Sequence, residues 1–301
     1  MSSAVADPRI VSIASRDLRA EISELGAELV RLQDGDGREL LWNGDPAYWT
    51  GHAPLLFPIV GSVKGDVIRV HGKTYPLQRH GFARRSRFQC LASTASRCQW
   101  RLASSSETRA QYPFNFTLDV VYEIVGPRLE IVATATNTGS ERMPVSFGFH
   151  PAFHWPLPYG RPREEHAIRF EMPEPLAVRR LENGLLAPHL FASPVHDHTL
   201  ALADDLFRDD ALIFDRLASR KVTYGAATGG AAMGPQLEVA FPDMPHLGIW
   251  SKPGAGFVCI EPWHGFASPT DFDDELRTKP GMAILPPGDA QAFEMKITLR
   301  R

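Results

Sequence analysis

Apolar residues recur at every second position along most of this chain, and stretches with the i, i+3, i+4, i+7 spacing of an amphipathic helix are hard to find. Period two is the period of a strand, so the pattern commits the chain to sheets with one face buried. The run FEMKITL from Phe293 to Leu299 alternates cleanly. FTLDVVYEI and LEIVATATN do so on either side of Val125, Gly126 and Pro127, which predicts an antiparallel hairpin. RIVSIASRDLRAEI reads as two strands around Ser15, Arg16 and Asp17, and ELVRLQDGDGRELLWNG as a hairpin with DGDG at its tip. ALIFDRL, KVTYGA, QLEVAF, LGIWSK, GFVCIEPW and MAILPPG continue the series, and 25 prolines and 24 glycines supply the turns between such runs. No fixed-period repeat, linker or low-complexity tract divides the 301 residues. The expectation is an all-β protein, one large antiparallel β-sandwich domain over residues 1–301.

Composition narrows the function classes. Hydrophobic residues make up 44% and charged residues 22%, as in an ordinary globular chain. The net charge is −3, and apart from Arg79, Arg84, Arg85 and Arg87 the basic residues are dispersed. A nucleic-acid partner would require a basic face, so none is expected. Cys90, Cys98 and Cys259 are odd in number and lack paired spacing, which suggests neither a disulfide framework nor a zinc site. Cys259, inside an apolar run, is expected to be a small buried hydrophobe. No basic start followed by an apolar segment opens the chain, and no run of about 18 apolar residues occurs. A cytoplasmic protein without membrane contact is expected.

Two distant stretches concentrate the chemistry. VSFGFHPAFHWPL, from Val145 to Leu157, sets His150 among aromatic residues and prolines, and VCIEPWHGF, from Val258 to Phe266, ends an apolar run directly in Glu261. A carboxylate left buried and unpaired costs several kcal/mol, so Glu261 is either tied into the structure or used.

GAELVRLQDGDGRELLW, APLLFPIVGSV, GKTYPLQRHGFAR, YPFNFTL, SFGFHPAF and FPDMPHLGIWSKPGAGFVCIEPW occur in this order. Together they resemble the aldose 1-epimerase (galactose mutarotase) family, and within it the LacX-type branch, over roughly the whole chain. The resemblance implies a large, strongly twisted sandwich of the galactose mutarotase-like type, interconversion of the α and β anomers of a free hexose, and neither a metal nor an organic cofactor. The alternatives are a hexose-6-phosphate 1-epimerase, or a carbohydrate-binding protein of the same fold without turnover. The chain is expected as a monomer or homodimer.

Residue by residue, the resemblance puts Glu261 at the family's base position and His150 at its acid position. Ring opening needs both, one to take the O1 proton and one to protonate the ring oxygen O5. The apolar setting should raise the Glu261 pKa, and nearness to Glu261 should favour charged His150. His80 matches the second family histidine, over the sugar ring, and Asp210 the aspartate that accepts sugar hydroxyls. His154 is expected to be structural. Where the family carries an Arg after the FPIVG-like turn, this chain has Ser62, with Arg84 or Lys64 the candidate substitutes. The group Arg79, Arg84, Arg85 and Arg87 beside His80 is either an exposed basic loop or a phosphate fork. Of Trp42, Trp49, Trp155, Trp250 and Trp263, one or two, Trp263 or Trp155, are expected to reach a sugar. His196 and His198 form an HxH pair with no visible third ligand, so an exposed turn is expected there.

Overall fold

The computed structural model describes residues 7–228 and 231–301; residues 1–6, part of the stretch read for a leader, lie outside the described residues. Every pairing between its strands is antiparallel, as alternating rather than continuous apolar runs require. The hairpin around Gly126 and Pro127 joins Phe116–Val125 to Arg128–Asn137, both with strictly alternating burial. Ile10–Ala14 and Leu18–Ser23 pair around the predicted turn, and Asp34 N–H donates to the Arg38 carbonyl across the DGDG tip.

Two sheets dominate. A ten-stranded sheet runs Thr199–Ala201, His166–Phe170, Lys221–Thr228, Gln236–Ala240, Ala290–Arg300, Arg128–Asn137, Phe116–Val125, Arg97–Ala103 and Gln89–Ser93, with Ala231–Ala232 paired beside Lys221–Thr228. A six-stranded sheet runs Leu212–Phe214, His246–Trp250, Phe257–His264, Phe147–Phe149 and Leu55–Leu56, with Ala152–His154 also paired to Phe257–His264. Aromatic side chains lock the layers together. Phe293 of the first sheet stacks on Phe147 of the second with ring centroids 5.0 Å apart, and Phe170 meets Phe214 at 5.2 Å. The Tyr224 hydroxyl donates to the His154 carbonyl between the same layers.

The central strand Phe257–His264 is buried on both faces along nearly its whole length, because one sheet face meets the core and the other meets a cavity. All the candidate site residues hang on this sheet or on loops knitted to it. The loop of His80 is tied to the segment before Gly61 by a bridge between Phe57 and Gly81. There the backbones approach so closely that a Cβ on Gly81 would stand 2.1 Å from the Phe57 carbonyl oxygen, and Gly81 has φ +69°. Gly81→Ala is therefore expected to lower stability by about 3 kcal/mol, read as a shifted urea midpoint. Among the described residues no helix is long and apolar enough to cross a membrane.

Candidate active site

Glu261, His150, His80, Asp210, Arg84 and Trp263 all line one cavity of about 260 Å³. Small-molecule pockets run from about 300 Å³ upward, so this one suits a single small polar molecule. Alternation along Phe257–His264 turns Glu261 and Trp263 to the same face. The Trp263 indole occupies a slot between two neighbouring strands that carry glycine there. A Cβ on Gly148 would come within 2.7 Å of the indole and one on Gly248 within 2.4 Å.

His150 follows the strand Phe147–Phe149 and reaches Glu261 from the next strand over. Its Nε2 lies 3.1 Å from Glu261 Oε2, a close contact that is not aligned as a hydrogen bond. Glu261 Oε2 and His150 Nδ1 are thus buried without hydrogen-bond partners among the described residues. Trp49 stacks on the His150 ring at 4.9 Å, and Trp250 meets it edge-on at 6.1 Å.

Burial controls the charges of this pair. It pushes the Glu261 carboxyl well above the usual carboxylate range, an effect only partly offset by Arg79, the Trp263 indole and Arg84. Burial also holds His150 well below an ordinary imidazole, and Arg84 and Arg79 add to the depression. The raised Glu261 agrees with the sequence expectation, whereas a charged His150 does not. At 7% exposure the ring is desolvated, and the nearby arginines further disfavour a charge on it.

His80 presents one defined edge to the cavity. Its Nδ1 accepts the Gly61 backbone N–H at 3.1 Å, and Arg79 Nε stands 3.2 Å from Nε2. A neutral ring has one bare nitrogen, so the two contacts are alternatives. The amide is fixed while Arg79 is an exposed side chain, which leaves Nδ1 as acceptor and the proton on Nε2. Burial, then His150 and the neighbouring arginines, keeps the ring neutral. In that tautomer Arg79 Nε–H loses its acceptor at Nε2, and both N–H groups are free to donate to other acceptors. His80 (φ +66°) and Asp210 (φ +65°) both sit in the left-handed region.

Asp210 is held from outside. Its Oδ1 accepts the Ala211 N–H at 2.8 Å, and Arg180 Nη1 donates to the Leu206 and Asp210 carbonyls at 2.8 and 2.9 Å. The four arginines divide. Arg79 and Arg84 line the cavity, Arg85 donates to the Gly81 carbonyl at 2.6 Å, and Arg87 pairs with Glu24 at 3.1 Å. Burial lowers the Arg84 pKa despite Glu28 and Glu261, and among the described residues its guanidinium makes no hydrogen bond or ion pair.

Ser62 does not line the cavity. It lies beneath the hairpin Leu181–Glu182 and Leu185–Leu186, with its Oγ 3.2 Å from where a Cβ on Gly184 would stand. Leu181 of this hairpin supplies an apolar part of the cavity wall. Lys64 lies outside the cavity, so of the two proposed substitutes only Arg84 is in place.

Three other expectations resolve here. Trp155 does not reach the cavity: it is 1% exposed, donates from Nε1 to the Arg163 carbonyl and carries the Arg163 guanidinium 3.7 Å over its ring. Trp49 and Trp250 line the cavity in its place, beside Trp263. His154 packs edge-on to Trp42, and His196 bonds Thr199 across an exposed turn.

The sequence profile described as aldose 1-epimerase matches residues 9–275, and the chain belongs to that family. It is 31% identical over 303 residues to protein LacX (plasmid) of Lactococcus lactis subsp. lactis, covering 96% of this chain and 99% of that protein. The crystal structure of a galactose mutarotase related enzyme from Lactobacillus acidophilus superposes with a TM-score of 0.88 at 33% identity, covering 97% of this chain and 98% of that one. A galactose mutarotase-like protein from Lactobacillus casei gives the same TM-score at 29% identity, over 97% of this chain and 100% of that one.

Proposed function

We propose that this chain is an aldose 1-epimerase that interconverts the α and β anomers of a hexose, with Glu261 and His150 as its acid–base pair. The observation that carries the reading is the 3.1 Å contact between these two groups in the wall of a cavity sized for one sugar ring. Each unsatisfied buried polar group costs about 1–3 kcal/mol, a cost that a bound sugar would remove.

One group takes the O1 proton while the other delivers a proton to O5. The C1–O5 bond breaks, the open-chain aldehyde turns about C1–C2, and the ring recloses on its other face with the two roles exchanged. A carboxyl and an imidazole sharing one proton always offer one donor and one acceptor, so the same pair serves both directions. His80 Nε2–H and Arg79 Nε–H would grip a sugar oxygen, Asp210 would accept hydroxyls, and the indoles would pack on the apolar ring faces.

The pH profile follows from the directions of the two shifts. Loading a second proton requires charging His150, whose pKa lies well below 6.5, and removing the last requires ionising Glu261, well above 4.5. The one-proton state then extends to lower pH than an ordinary imidazole would allow, and its alkaline limit lies above the ordinary carboxylate pKa. We expect the acid limb of kcat/KM to lie well below 6.5. A limb centred on an ordinary imidazole pKa would count against the pair.

The arginines favour a second reading. Arg84, without an ion pair, and Arg79 face the cavity and suit a phosphorylated hexose. A panel of free and phosphorylated aldoses, followed by polarimetry or NMR saturation transfer, tests both. No acceleration for any member would defeat the enzymatic reading and leave sugar binding without turnover.

A further inference from the structure

We propose that Cys259, His150 and Glu261 form a binding site for one thiophilic divalent cation of the Zn²⁺ class. Each of these buried residues offers one ligand atom, and the three atoms lie within 4.8 Å of one another. The topology produces this convergence. Cys259 and Glu261 are two apart on Phe257–His264 and share a face, while His150 precedes the strand Ala152–His154, whose Ala152 pairs with Cys259.

One further observation points to a ligand. Glu261 Oε2, on a residue 2% exposed, is buried and has no hydrogen-bond partner among the described residues. Such a group in a folded protein calls for an occupant. Thiolate sulfur, imidazole nitrogen and carboxylate oxygen are each zinc donors, and three protein ligands would leave a fourth position open.

Geometry and charge are both compatible with occupancy. Tetrahedral bonds of about 2.0–2.3 Å put ligand atoms roughly 3.5 Å apart. With the histidine and carboxylate already at 3.1 Å and the thiol within 4.8 Å, closure takes side-chain shifts on the order of 1 Å. When the cation enters, one proton leaves the thiol and one leaves the carboxyl, and the two resulting anionic ligands cancel its charge. Arg79 and Arg84 nearby oppose ions held by charge alone, which selects for metals that bind sulfur. The open position would face the sugar cavity, which Glu261 and His150 line while Cys259 stands behind them. That a loaded cation blocks turnover rests on the acid–base reading above; the site itself does not.

The test is titration of the whole chain with Co²⁺, followed by its absorption spectrum and by displacement with Zn²⁺. One equivalent is expected to give tetrahedral ligand-field bands together with a thiolate-to-cobalt charge-transfer band. Cys259→Ser and Cys259→Ala, each checked for folding by circular dichroism, are expected to lose the thiolate band and to weaken Zn²⁺ binding at least tenfold. Absence of the thiolate band from the unmodified chain overturns the site, as does its persistence in either folded variant, since Cys90 or Cys98 would then be its source. A Cys259-dependent band in a protein that accelerates no mutarotation supports the site and counts only against the acid–base reading.

Discussion

On the proposed acid–base reading, Glu261→Gln is expected to slow the approach to anomeric equilibrium by about 10²–10⁴-fold, the range of one positioned acid–base group. The substitution keeps the size of the side chain and removes only its ability to exchange a proton. Since Glu261 is 2% exposed, water cannot readily stand in for the lost group. Sugar binding should change far less, because Arg79, His80, Arg84 and Asp210 line the cavity independently of the carboxyl. Polarimetry from a pure anomer gives the rate and calorimetry gives the affinity. A variant retaining more than a tenth of the rate would mean that the proton is handled elsewhere.

His150→Asn is expected to cost a similar factor, and the double variant no more than about the worse single one. Groups that act as one unit are not additive, because the first substitution already disables the pair. The close contact between the two side chains makes this the decisive comparison. Losses that multiply across the two positions would show independent roles. Asparagine keeps a polar group next to Trp49, so a repacked indole is controlled for by comparing near-ultraviolet circular dichroism of the single variants.

Much of this arrangement is legible in the residues. Period-two patterning identifies the sheets and their antiparallel pairing, and alternation in EPW by itself puts Glu261 and Trp263 on one face. The charge state of His150 is not legible. It depends on how completely three indole-bearing segments exclude solvent, and nearness in a motif does not measure that. The cavity positions of Trp49 and Leu181 are not legible, because Trp49 sits in an irregular segment and Leu181 in a strand of two residues, too short to show a period. The hairpin of Leu181 did leave a signal: Asn183 and Gly184, with φ of +52° and +80°, are an Asn-Gly pair of the kind that turns two-residue hairpins.

The slot that holds Trp263 sets a limit on how this protein can evolve. Positions 148 and 248 lie on the strands either side of it, and neither belongs to the acid–base pair. Any heavier residue at either would drive the indole outward and disturb the carboxyl two places along the same strand. Mutational drift can rewrite the outer faces of both sheets, but these two codons are tied to the tryptophan and can be released only by changing it as well.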